Sequence, residues 1–302
     1  MSQLAIFTAP KAFSDAHIDM IQRNAIGSWK QLGDAVEVYL LGDEEGIARA
    51  AKDLGVVHLP KLSRNKEGTP LVSSIFQEAR QASRAELMAY INADILLLPE
   101  TLKVVESVEQ QAENFVLMGQ RYDLDVSAPM DFSGEWSAEL HQSLGPDAQL
   151  HPAGGSDYFI FPRKLYADLP DFAIGRAGWD NWMIYHAMKE DWLALDATAS
   201  LTVIHQNHDY SHLPEGQAHY RVGETDENVE LAGGMRRIYT LLDLKFEIVG
   251  GEIRSKRPSL ERLVRGMERI VQPDERVASG WRWAVLRRLR KLRRNLIEGR
   301  GS

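Results

Sequence analysis

The sequence predicts a single α/β domain, a mainly parallel sheet flanked by helices over residues 1–250, followed by a helical, basic extension over 251–302. Short apolar runs alternate with helical patterns, which implies crossover connections between parallel strands. The composition is that of a folded chain: 44% of the 302 residues are hydrophobic and 26% charged, which excludes disorder as the dominant state. Charge is unevenly placed. Nine of the 35 basic residues but one of the 43 acidic ones fall in 276–302, leaving a body of about −16 ahead of a tail of about +8.

The elements follow in order. Leu4 to Thr8 reads as a buried strand. Asp15 to Leu32 reads as a helix capped by Ser14 or Asp15, with Ile18, Ile21, Ala25 and Trp29 at helical spacing. A strand at Val36 to Leu41, a helix at Glu44 to Leu54, a short strand at Val56 to Leu59, a helix from Pro70 to Ala82 and a strand from Leu87 to Asn92 continue the alternation. Pro99 and Glu100 open a helix to about Gln111, and Phe115 to Gln120 reads as a strand. Arg121 to Pro152, rich in turn formers, is expected to be an excursion over the sheet's active edge. Order resumes with a strand at Tyr158 to Phe161, a helix at Trp179 to Lys189 and a strand at Leu201 to His205. Asn207 to Gly234 reads as loop, Arg236 to Leu244 as the last helix of the main domain, and Lys256 to Pro273 as a helical link to the tail.

Several function classes are excluded. With no cysteine there is no disulfide, thiolate zinc site, iron–sulfur cluster or cysteine nucleophile, so any metal is held by oxygen or imidazole. The N-terminal stretch lacks a basic region followed by a long apolar one, and no apolar run suffices to span a bilayer, so a cytoplasmic location is expected. An acidic body argues against nucleic acid as a partner. A dinucleotide-dependent oxidoreductase needs a glycine-rich turn after the first strand, where this chain has Thr8-Ala9-Pro10-Lys11, and no P-loop motif occurs.

Ligands of parallel α/β sheets bind outside the carboxyl ends of the strands, which singles out four places. Asn92-Ala93-Asp94 follows a strand with two polar residues spaced to face one side, suited either to a divalent cation on phosphates or to an Asx turn. Gly154-Gly155-Ser156-Asp157-Tyr158 leads a carboxylate into a strand through two glycines, which allow close backbone approach to a ligand or simply make a turn. Gly178-Trp179-Asp180-Asn181-Trp182 places Asp180 at a helix start as a general base or a cap, between tryptophans that serve as sugar platforms or as core. His205, His208 and His212 follow a strand and offer metal ligands or a diphosphate contact.

In this order, the elements and motifs resemble the GT-A fold of nucleotide-sugar-dependent glycosyltransferases over about residues 2–245. Asn92-Ala93-Asp94 is similar to the Asp-x-Asp metal motif, 154–158 to the acceptor loop, Gly178-Trp179-Asp180 to the x-acidic-Asp motif, and His205 or His208 to the C-terminal metal histidine. The resemblance implies a donor nucleoside-diphosphate sugar, a glycan or glycolipid acceptor, and Mn²⁺ or Mg²⁺. It implies that Asp94 holds the cation, with His205 or His208 as the second protein ligand, and that Asn92 lies near the ribose or a metal-bound water. Asp180 becomes the base for the acceptor hydroxyl and Asp157 an acceptor-positioning group. Thr8, Ala9, Pro10 and Asp43 fall where the family binds the nucleoside, and Arg64 and Lys66 where a loop approaches the phosphates. Asn for the first Asp departs from the pattern. Two rivals share the fold: a non-catalytic nucleotide-sugar or glycan-binding protein, and a sugar-phosphate nucleotidyltransferase, whose glycine- and arginine-rich first loop is missing.

In the tail, Trp281, Val285, Leu289, Leu292 and Leu296 recur at helical spacing among arginines. Such a helix either lies on an anionic membrane surface, through residues 276–297 at the inner face, or packs on its own acidic body. Residues 297–302 resemble a protease-site linker, to which no function is attached.

Overall fold

The computed structural model describes residues 3–145, 148, 150–208, 223–274 and 279–298. Asp209, Tyr210, Ser211 and His212, the end of the fourth motif, lie outside the described residues.

The chain runs β1 (Leu4–Thr8), α1 (Ala16–Lys30), β2 (Val36–Leu41), α2 (Ile47–Leu54), β3 (Val57–Leu59), α3 (Val72–Ala82), β4 (Leu87–Ile91), β5 (Ile95–Leu97), α4 (Glu100–Glu109) and β6 (Phe115–Met118). It continues through β7 (Tyr122–Leu124), α5 (Trp136–Ser143), β8 (Tyr158–Pro162), α6 (Trp179–Lys189), β9 (Leu193–Asp196), β10 (Val203–Gln206) and α7 (Gly223–Leu231). Two 3-10 turns, Met235–Arg237 and Leu241–Asp243, precede β11 (Phe246–Val249), β12 (Glu252–Ser255), α8 (Leu260–Val271) and α9 (Trp281–Glu298).

Among the described residues, nine strands form one sheet in the order β12-β11-β9-β6-β8-β4-β1-β2-β3. All its neighbours pair in parallel except β8, which runs antiparallel between β4 and β6, and β12, the antiparallel edge. Alternate strand residues feed opposite faces. Ala5 and Phe7 join Ile75 and Phe76 of α3 and Met183 of α6, whereas Leu4 and Ile6 join Ile26 and Trp29 of α1 and Val105 of α4. Helices on both faces are why the strands read as continuous apolar runs.

A second sheet, β5-β10-β7, stands beside the carboxyl edge of the first, with α5 beneath it burying Trp136 and Leu140 against Leu96 and Ile204. The excursion expected over 121–152 thus holds a strand and a helix. The expected helix over 236–244 is replaced by the two 3-10 turns, because Gly233 and Gly234 stand at positive φ before the first and a Thr240–Asp243 capping box starts the second. The loop expected over 207–234 contains α7, which buries Glu224, Thr225 and Asn228 rather than an apolar stripe. The sheet continues to Ser255, past the boundary expected at 250, because Gly250 and Gly251 turn the chain back into β12. Helix α9 packs on α8, with Leu286 fully buried.

Candidate active site

Seven parallel strands, β1, β2, β3, β4, β6, β9 and β11, end at one edge of the large sheet, and β8 starts there. Antiparallel pairing sets Tyr158 opposite Ile91, so Asp157 and Asn92 become neighbours, and the Asn92 N–H donates to the Asp157 carbonyl at 2.9 Å. The Asn92 amide donates to Asp157 Oδ1 at 2.8 Å and accepts from the Tyr90 hydroxyl at 3.0 Å. Arg121 donates to Asp157 Oδ2. Both oxygens of Asp157 are therefore engaged, and Asn92 is the crosspiece between two strand ends.

Asp94 opens β5. Its carbonyl accepts from the Gln206 N–H at 3.1 Å, which extends the β5–β10 ladder and brings His205 of β10 and His208 just after it alongside. His208 Nε2 lies 3.0 Å and His205 Nε2 3.8 Å from Asp94 Oδ2, and one ligand atom from each of these three residues fits within 4.8 Å of the others. Asp94 Oδ1 is buried without a hydrogen-bond partner. Burial opposes ionisation of Asp94, but the His208 hydrogen bond and the charges of His205, His208 and Lys11 outweigh it and hold the carboxyl well below its ordinary range. Burial lowers His205 against the pull of Asp94. One carboxylate and two imidazoles around an orphaned oxygen fit a divalent cation that completes its shell with phosphate and water.

Residues outside the expected set hold these groups. His205 Nδ1 lies 3.1 Å from Asp123 Oδ1, so a tautomer protonated there leaves Nε2 toward Asp94. Asp123 also accepts from Arg121 at 3.0 Å and lies 2.7 Å from His151 Nδ1. Arg121 thus ties Asp157 to Asp123. The available signal was Arg-x-Asp, two residues apart on one side of the three-residue β7, within a segment of weak periodicity. Behind Asp94, the buried Gln206 donates to the Ile21 carbonyl at 2.7 Å and accepts from Asn24 at 3.1 Å, fixing β10 to α1.

Asp180 lies in the first turn of α6, whose N-cap is Gly178 at φ 110°. A Cβ on Gly155 would stand 2.0 Å from Asp180 Oδ2, so the glycine lets the 154–158 loop close onto the carboxylate. Burial pushes Asp180 up to about 6, the Asp157 charge adds to this, and backbone hydrogen bonds at Asn181, Asp180 and Gly178 oppose it. Burial and then the charges of Asp94, Asp157 and Asp180 raise the Tyr90 phenol far above its ordinary value. The tryptophans beside Asp180 are core: Trp179 meets Tyr90 edge-on at 5.0 Å, and Trp182 stacks on His186 at 4.5 Å.

The other expected residues line the same edge further along. Thr8 is fully buried with its hydroxyl unpartnered, followed by half-buried Ala9 and buried Pro10. Arg64 pairs with Asp43 at 2.5 Å and with Glu44 at 2.8 Å, while Glu44 Oε2 is buried without a partner. Lys66 is exposed and pairs with Glu227 of α7 at 2.8 Å. No described hydrogen bond or ion pair joins Arg64 or Lys66 to the Asp94 cluster. Buried polar atoms are usually satisfied, and among the described residues Thr8, Glu44 and Asp94, which follow or close β1, β2 and β4, and Tyr158 at the start of β8 each carry a buried side-chain oxygen without a hydrogen-bond partner.

No family model matches the chain, and no curated protein matches it. Among solved structures it is similar to the glucosyl-3-phosphoglycerate synthase of M. tuberculosis, at 16% identity over 78% of this chain and 80% of that chain, with a TM-score of 0.47. The same synthase solved with Mg²⁺ and uridine diphosphate gives 14% identity over 86% and 88%, again at 0.47. A mannosyltransferase from Pyrobaculum calidifontis, solved with GDP-Man and Mn²⁺, gives 13% over 69% and 58%, at 0.44.

Proposed function

We propose that the protein transfers a sugar from a nucleoside-diphosphate sugar to a hydroxyl of a glycan or glycolipid. The observation that carries this reading is the half-buried Asp94 carboxylate, one oxygen of it buried without a partner, with two imidazoles, at the sheet edge that also carries the raised carboxylate of Asp180.

A divalent cation bound there supplies charge neutralisation for a departing diphosphate. Asp94, His205 and His208 would hold it, and the edge from Thr8 to Asp43 and Glu44 would receive the nucleoside. In the transfer, the bond between the anomeric carbon and the diphosphate oxygen breaks, and the acceptor oxygen bonds to that carbon. Asp180 takes the acceptor's proton. Its elevated pKa makes it a stronger base than a solvated carboxylate while leaving it ionised at neutral pH, a role typically worth a hundredfold to ten-thousandfold in rate. Asp157, clamped by Asn92 and Arg121, fixes the loop against which Asp180 closes and so positions the acceptor side.

Calorimetric titration of a panel of nucleotide sugars with and without Mn²⁺, on the wild type and Asp94→Ala, tests the reading. One donor is expected to bind in the micromolar range only with metal, and the variant to lose it. Absence of binding by every nucleotide sugar under both conditions overturns the proposal.

A further inference from the structure

Helix α8 is inside out. Its buried face consists of Glu261, Val264, Arg265 and Glu268, whereas Leu260, Leu263, Met267 and Ile270, spaced three and four apart on the opposite face, are 60%, 62%, 38% and 76% exposed. An amphipathic helix on a soluble body normally does the reverse. The contacts explain the orientation. Arg265 is held by Asp243 at 2.8 Å and by the Ile238 carbonyl at 3.0 Å, and Arg262 donates to the Leu244 carbonyl at 2.7 Å. Glu268 meets Arg293 of α9 at 2.8 Å and Arg265 at 3.4 Å. With its charged side committed to the body and to α9, α8 turns its aliphatic side outward.

Helix α9 adds the second component. Arg282, Arg287, Arg288, Lys291 and Arg294 are exposed, as are Trp281 at 71% and Leu292 at 46%. A cleft of about 560 Å³ is lined wholly by cations: Arg287, Arg290, Lys291, Arg293 and Arg294. Aliphatic side chains with an exposed tryptophan and long arginines meet the two layers of a lipid surface, the hydrocarbon boundary and the anionic headgroups. No helix among the described residues is long and apolar enough to cross a membrane.

We infer that α8 and α9 form one docking surface for an anionic bilayer, in which the outward aliphatic row of α8 enters the headgroup region while the arginines of α9 bind lipid phosphates. This deepens the membrane reading of residues 276–297 by placing the apolar contact on α8, and it rests on the extension alone rather than on the transfer chemistry. The body's own charge of about −16 is repelled by such a surface, so the extension sets the approach.

Flotation of the full chain with phosphatidylcholine vesicles, with and without phosphatidylglycerol, is the test. The wild type is expected to float only with the anionic vesicles. Leu263→Asp with Ile270→Asp should cut the vesicle-bound fraction by about tenfold or more, and Arg287→Gln with Arg288→Gln by roughly fivefold per cation removed. All four positions are exposed, so the melting temperature should not move. A wild type that does not float with anionic vesicles, or variants that float as well as the wild type, overturns the proposal. So does sedimentation equilibrium showing a dimer that Leu263→Asp with Ile270→Asp converts to monomer, since a second copy then owns the surface. Donor titrations run separately on the same variants, so a failed transfer reading and a failed membrane reading give different results.

Discussion

Asn92 stands two residues before Asp94, where a carboxylate would add a second negative oxygen set. Its amide instead joins the Tyr90 hydroxyl to Asp157, whose other oxygen belongs to Arg121. An acid at 92 faces Asp157 at hydrogen-bond distance with no proton between them. Asn92→Asp is therefore expected to destabilise the fold by about 1–3 kcal/mol at neutral pH, with the deficit shrinking as pH falls and one carboxyl becomes protonated, measured by urea denaturation across pH. Asp180 carries the opposite tension. Its folded pKa, about 6, lies above that of the unfolded chain, so its stabilising contribution is complete when protonated and is lost as pH rises through about 6. Asp180→Asn should raise the melting temperature at pH 7 while lowering turnover about a hundredfold or more, and the wild-type rate should fall as pH drops below about 6. A lower melting temperature in the variant contradicts the assignment of burial as the cause.

At the scale of elements, the buried ion cluster between α8 and α9 fixes the extension. Removing one partner leaves charges in a dry interface, which typically costs about 3–5 kcal/mol. Glu268→Ala, which removes the carboxylate facing Arg293 while Arg265 keeps Asp243, is expected to free α9 for cleavage by trypsin under limited digestion, whereas an intact tail resists. The main strands were legible because both sheet faces are covered: β1, β2, β4 and β8 each read as an apolar run of five or six residues. Strands β5, β7, β9, β11 and β12 have three or four residues, too few for a period to appear, and only three residues separate β9 from the end of α6 at Lys189. The same lengths govern the site. Asp94 and Asp157 border long strands and stood out, whereas Arg121, Asp123 and His151 lie on or against β7 and have meaning only once β10 lies beside it. The tryptophans flanking Asp180 stayed open between an aromatic platform and an aromatic core because both give the same sequence pattern; the packing makes them core.

Over the whole molecule, the large sheet joins two groups of strands far apart in sequence. Four parallel strands from the first 91 residues, β3-β2-β1-β4, meet a second group, β6-β9-β11-β12, only through β8. A chain ending at residue 150 has the β4 and β6 edges open, and open edges of apolar strands pair with other chains. Such a fragment is expected to appear in the insoluble fraction on expression, and a soluble, monomeric fragment would show that the first four strands fold by themselves. The antiparallel β8 then has a meaning in time as well as in space. During synthesis the growing chain carries its first four strands with one unfinished border, and that border waits until residues 158–162 emerge. Those five residues arrive directly behind the loop that carries Gly155 and Asp157, so the step that joins β4 to β6 also fixes that loop to Asn92, ready for Asp180 when α6 follows. Nascent chains stalled before that point should lean on chaperones, and the loop side of the site should be in place before Asp180, His205 and His208 are made.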